Sequence, residues 1–137
     1  RTRGERAVQV RGHVGTRAPL HSTSLGKAIL AHLPDSRVEQ IIDEHGLAPS
    51  TPETITDPET LFEELAAIRD RGVAFDDEER LRGLRCVAAP IRANDEVVGA
   101  ISVSGPTNRL RNDRFREEIP QALLEVQNVI ELNVVHG

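Results

Sequence analysis

Two apolar runs, Leu-Arg-Cys-Val-Ala-Ala-Pro-Ile-Arg at 84–92 and Val-Val-Gly-Ala-Ile-Ser-Val-Ser at 97–104, stand four residues apart. Both have the length and the small, β-branched composition of strands, and so short a break between them predicts an antiparallel hairpin. Side chains alternate along a strand, so residues opposed across a hairpin share a face of the sheet. A loop centred on Asp95 sets Cys86 opposite Ser104 and Ala88 opposite Ser102, a register that a bulge would spoil. Ser102 and Ser104 then point to one face, Ile101 and Val103 to the other.

The rest of the chain supplies helices before the hairpin and one after it. Residues 7–14 alternate weakly as a first strand. Residues 24–33 read as a helix with Ser22 or Thr23 as cap, an apolar stripe of Leu25, Ala28, Ile29 and Leu33, and Pro34 as its stop. Ser36-Arg37-Val38-Glu39 fits a capping box for a second helix ending at His45-Gly46. Residues 51–56 are a loop. Asp57-Pro58 opens a third helix that Gly72 closes. A strand follows at 73–76, ahead of the hairpin. From Asn112 a long helix carries Phe115, Ile119, Leu123, Val126 and Ile130 on one stripe, with Pro120 expected to kink it. Consecutive strands after residue 72 favour an α/β (α+β) sandwich with a mostly antiparallel sheet.

With 137 residues the chain fits a single domain. It begins without Met, as a fragment or a processed chain would. A lone cysteine excludes an internal disulfide, and no apolar run nears the ~18 residues of a membrane span. The expectation is an intracellular, cytoplasmic protein. Three Phe without Trp or Tyr leave no base-stacking platform, and 22 acidic against 17 basic residues leave no broad basic footprint for nucleic acid. Among the basic residues only Lys27 is a lysine.

Several residues carry candidate chemistry. Hydroxyls of Ser102 and Ser104 inside a sheet buried on both faces need partners, either backbone near the strand end or a ligand. Cys86 is a small core hydrophobe, or a nucleophile if a base lies near; apolar neighbours favour the thiol. Asp76-Asp77-Glu78-Glu79 has no metal-ligand spacing and reads as a solvated turn with one inward carboxylate, Asp76 and Glu78 alternating with Asp77. His21 to Lys27 is a small-residue turn entering a helix. It serves as an ordinary cap or offers amides to a carboxylate.

In order and spacing, four segments resemble the effector-binding domain of IclR-type transcriptional regulators. They are Leu20 to Ala28 (LHSTSLGKA), Arg71 to Glu79 (RGVAFDDEE), Gly83 to Ile91 (GLRCVAAPI) and Ala100 to Pro106 (AISVSGP). The resemblance spans essentially the whole chain, 1–137. It implies a GAF-like domain that binds a small metabolite, often a carboxylic acid, through Ser24, Leu25, Asp76, Leu84, Cys86, Ser102 and Ser104. It further implies dimers or tetramers, no catalytic residue, no metal and no cofactor. DNA contact would come only through an N-terminal winged helix-turn-helix that these residues do not include. Two other functions are weighed against this one: an enzyme acting on a small acid through Cys86 or Asp76, and a free-standing GAF-like signalling or dimerisation module.

Overall fold

The computed structural model describes residues 20–134, together with the backbone of 9–13 and 135–136. The element order is β1 (Gln9–His13), α1 (Ser24–Leu30), α2 (Asp35–His45), α3 (Pro58–Arg71), β2 (Ala74–Asp77), β3 (Leu84–Ala93), β4 (Glu96–Pro106), a π-helical turn (Arg114–Glu118) and α4 (Ile119–His136). The ends of the first-strand expectation, 7–8 and 14, lie outside the described residues. All described strand pairs are antiparallel, in the order β1-β4-β3-β2.

The expected register holds, for a reason the sequence reading had inverted. Cys86 pairs with Ser104 and Ala88 with Ser102. The turn itself is the two residues Asn94 and Asp95, both at positive φ (56° and 69°) as a tight hairpin demands. Taken alone, that turn would set Cys86 against Val103. Between the pairs Ile91–Gly99 and Arg92–Val97 one residue, Val98, has no partner. This bulge adds the single step that returns both serines to the face of Cys86. The bulge therefore creates the register rather than spoiling it.

The sheet is buried on both sides. Odd-numbered residues Phe75, Val87, Ile101 and Val103 pack with Phe115 and Leu123 beneath α4. Even-numbered Ala74 and Ala88 pack with Ala28, Leu61, Leu65 and Ile68 of α1 and α3. Phe75 and Phe115 meet edge to face, centroids 5.0 Å apart.

Helix ends follow the local chemistry, with three departures. Asp57 caps α3 through Thr60, Pro58 starts it and Gly72, left-handed, ends it, all as read. Thr23, not Ser22, caps α1 by accepting from the Gly26 amide. That helix ends at Leu30 and tightens into i→i−3 bonds through Leu33, so Pro34 does not stop it. Pro34 stands instead at the N-cap of α2, with no side-chain cap bond. The capping box is thereby overturned: Ser36 already lies inside the helix. Pro120 acts one turn earlier than a simple kink would. Because it has no N–H to donate, the preceding turn widens and Ile119 donates back to Arg114 in a π pattern. Val126, expected on the buried stripe, is 46% exposed; Phe115 and Leu123 are buried and Ile119 and Ile130 are partly so. The widened turn breaks the constant 3.6-residue period on which that stripe was drawn.

Candidate functional site

One row of side chains crosses the sheet on the α1 face. Asp76 of β2 pairs with Cys86 of β3, which pairs with Ser104 of β4. The next row is Ala74, Ala88 and Ser102. Five of these six are buried and Ser104 is half-buried. Alternation adds Leu84, half-buried at the start of β3, to the same face. Four predicted residues, Asp76, Cys86, Ser102 and Ser104, are thus brought together by strand register alone.

Within the row, Ser104 Oγ donates to Cys86 Sγ at 3.1 Å. Asp76, 1% exposed, accepts at Oδ1 from the amides of Glu79 (2.8 Å) and Arg80 (3.3 Å). Neither bond uses Oδ2. Burial disfavours the charged form and raises the Asp76 pKa from 3.8 to about 6; the Glu79 amide and the Lys27 ammonium oppose that rise, while the Glu79 carboxylate adds to it. The acidic stretch therefore departs from the expected turn with one inward carboxylate. Glu78 takes φ +60° and leaves the strand, so Glu79, not Glu78, joins Asp76 on the inside. Asp77 faces the other way and pairs with Arg85 (2.8 Å) and Arg116 (3.4 Å).

The α1 side brings Ser24, 2% exposed, and half-buried Leu25. The Gly26 amide is taken by the Thr23 cap at 3.0 Å, so the amides of Ser24 and Leu25 are the ones the cap leaves for other use. Gly26 is required here because Leu20 crosses its Cα so closely that any Cβ would collide with the Leu20 backbone. The buried hydroxyl of Ser22 has no hydrogen-bond partner among the described residues. His21 fixes the approach by a bond from its Nε2 to the Ala48 carbonyl at 2.9 Å.

Sequence reasoning missed two residues. Lys27 is fully buried on α1 and donates to both carboxylate oxygens of Glu79, at 2.8 and 3.0 Å. Glu64 of α3 lies 3.7 Å from the same ammonium. A signal was present: this is the only lysine among 17 basic residues, directly after a glycine that has to be one. The Thr51 and Thr54 hydroxyls hold the same turn from the far side, donating to the Glu78 and Glu79 carbonyls.

Comparison with known proteins places this geometry among relatives. Residues 1–131 match the family model described as bacterial transcriptional regulator IclR C-terminal. The chain is 42% identical over 137 aligned positions to a probable HTH-type transcriptional regulator, ArcR, of Halobacterium salinarum, covering 96% of this chain and 51% of that protein. It is 43% identical over 105 positions to the transcriptional repressor IclR of Escherichia coli, covering 76% and 38%. Among solved structures, the C-terminal domain of the E. coli transcriptional regulator KdgR superposes with a TM-score of 0.79 at 34% identity, over 87% of this chain and 73% of that one. The inducer-binding domain of the PobR transcription factor from Acinetobacter, a double mutant in complex with 3-hydroxybenzoic acid, gives 0.80 at 30% identity, over 87% and 69%. The chain spans about half or less of the length of these curated relatives.

Proposed function

The chain belongs to the family of bacterial IclR transcriptional regulators, as its C-terminal domain, and from that premise we propose that it senses a small organic acid whose binding alters oligomer geometry and operator binding. The observation that carries this reading is the row of buried Asp76 and Cys86 and half-buried Ser104 beneath α1, with buried Ser102 beside it. Hydroxyls and an acid in a sheet otherwise packed with Val, Ala and Ile are there to meet a polar ligand.

In this reading the ligand carboxylate is held by the Ser24 and Leu25 amides and by the Ser102 and Ser104 hydroxyls. Leu25 and Leu84 cover its carbon skeleton. An ionised Asp76 would repel that carboxylate. It contributes by accepting from a ligand hydroxyl, or in its protonated form, which burial brings near neutral pH. A hydroxy acid suits the site best. The ligand complex of the similar PobR domain supports this class, and the scarcity of aromatic residues here favours an aliphatic member of it.

Sensing requires that the acid bind two arrangements of the protein unequally; it does not require turnover. Cys86 is accordingly a lining residue and not a nucleophile. The domain acts in the cytoplasm as a dimer or tetramer, and DNA is contacted through a separate N-terminal winged helix-turn-helix. No cofactor or metal enters the mechanism. Titration calorimetry of the 137-residue chain with glycolate, lactate, 3-hydroxybutyrate and 3-hydroxybenzoate tests this. Saturable binding of at least one acid, recovered chemically unchanged, is expected. Turnover of the acid, or no binding across the panel, would reject the reading.

A further inference from the structure

A fully buried lysine needs a reason. Lys27 gathers three elements at one ammonium: its own helix α1, the β2–β3 turn through Glu79, and α3 through Glu64. Desolvating such a pair cancels much of its attraction, and an apolar pair of like size often serves stability as well or better. Stability alone therefore does not account for it.

Its placement does. The Glu79 side chain is held by Lys27, while the Glu79 amide donates to Asp76 Oδ1 and the following amide, of Arg80, donates to the same oxygen. The residue that receives the ammonium is thus the residue that fixes the acid of the effector row. Lys27 and Glu79 sit outside that row, and neither is needed to contact a ligand.

We propose that Lys27 and Glu79 are positioning residues: their ion pair sets the 78–80 turn so that its amides clamp Asp76 Oδ1 and hold Oδ2 in place for the effector. This rests on the effector-site reading above.

The double variant Lys27→Met/Glu79→Leu, in the 137-residue chain, replaces the ion pair with apolar side chains of similar size. Its folding is checked by thermal denaturation. Amide hydrogen exchange at positions 79 and 80 should accelerate tenfold or more, with exchange in β3 and β4 unchanged. Affinity for the tightest binder among glycolate, lactate, 3-hydroxybutyrate and 3-hydroxybenzoate should fall at least tenfold. In an Asp76→Ala background the same double change should cost no further affinity, because a residue acting through Asp76 has nothing left to position. Wild-type exchange at positions 79 and 80, or wild-type affinity, would overturn the proposal. Should the double variant not fold, Glu79→Gln keeps one acceptor for Lys27 and removes the charge. Its exchange at those two amides should rise at least threefold, and wild-type protection there would equally overturn the proposal. If no acid binds the unaltered chain, the effector-site reading fails, while exchange at positions 79 and 80 still decides whether the pair holds Asp76.

Discussion

Ser104 Oγ donates to Cys86 Sγ at 3.1 Å across a register pair of β3 and β4. Sulfur is a weak acceptor, so this bond does little for the fold and leaves the hydroxyl ready to turn to a better one. Ser104→Ala should change stability by less than about 1 kcal/mol. Removing a donor to a carboxylate costs about 1.5–3 kcal/mol, so affinity for the bound acid should fall roughly ten- to hundredfold. Calorimetry and thermal denaturation on the same sample separate the two effects.

Asp76 makes stability depend on pH with a definite sign. Its pKa is about 6 in the fold against an ordinary 3.8, so between those values the native state holds a proton that the unfolded state has released. Stability therefore falls as pH rises through that window and stays lower above it, by on the order of 3 kcal/mol. Asp76→Asn keeps an acceptor for the two turn amides and removes the charge. It should melt several degrees above the parent at pH 7.5 and near the parent at pH 4. His32 works in the opposite direction: burial, and then Arg92 and Arg69, lower its pKa, so acid costs stability below about 6.5. That contribution is common to both proteins and cancels in the comparison. A variant no more stable than the parent at pH 7.5 would refute the assignment of Asp76 as a buried acid that is charged at that pH.

Phe115 is 2% exposed and meets Phe75 edge to face, with Arg85 and Arg116 over its ring at 5.2 and 4.8 Å. Phe115→Ala should cost about 3–5 kcal/mol, measured by urea unfolding. A loss below about 1 kcal/mol would mean that α4 is not anchored there.

The bulge supplies a prediction of register. Deleting Val98 removes the unpaired residue and joins Val97 directly to Gly99, so Gly99 still meets Ile91 and Ser104 still meets Cys86 in an uninterrupted ladder. Ser102 and Ser104 keep the face of Cys86, so the shortened chain should retain both acid binding and cooperative melting. Val98→Ala keeps the count and should keep both. A deletion variant that melted cooperatively but no longer bound the acid would show that this register does not set the site.

Much of this arrangement was legible in the sequence because strand parity is strict. Once the two runs are paired, Cys86, Ser102 and Ser104 must share a face, and Asp76 joins them from β2. The bulge itself was not legible, because a one-residue shift between loop and bulge leaves the downstream pairing identical. Lys27 and Glu79 were missed for a different reason. A helical stripe drawn from apolar residues treats a lysine as solvent-facing, and only the tertiary meeting of α1, α3 and the β2–β3 turn buries it. The positive φ of Glu78, which brings Glu79 inward, likewise has no local signature in four consecutive acids. The α4 stripe failed at Val126 because the π turn ahead of Pro120 interrupts the period on which it was drawn.

The central claim is that an acid binds on the α1 face of the sheet, over the row Asp76, Cys86 and Ser104. Amide chemical-shift mapping of the 137-residue chain, titrated with the tightest binder of the four-acid panel, tests it most directly. The predicted result is that the largest shifts fall at Ser24, Leu25, Glu79, Arg80, Cys86, Ser102 and Ser104, and saturate with the calorimetric Kd. Shifts centred instead on α4 and the odd-numbered face, at Phe115, Leu123 and Val103, would contradict it.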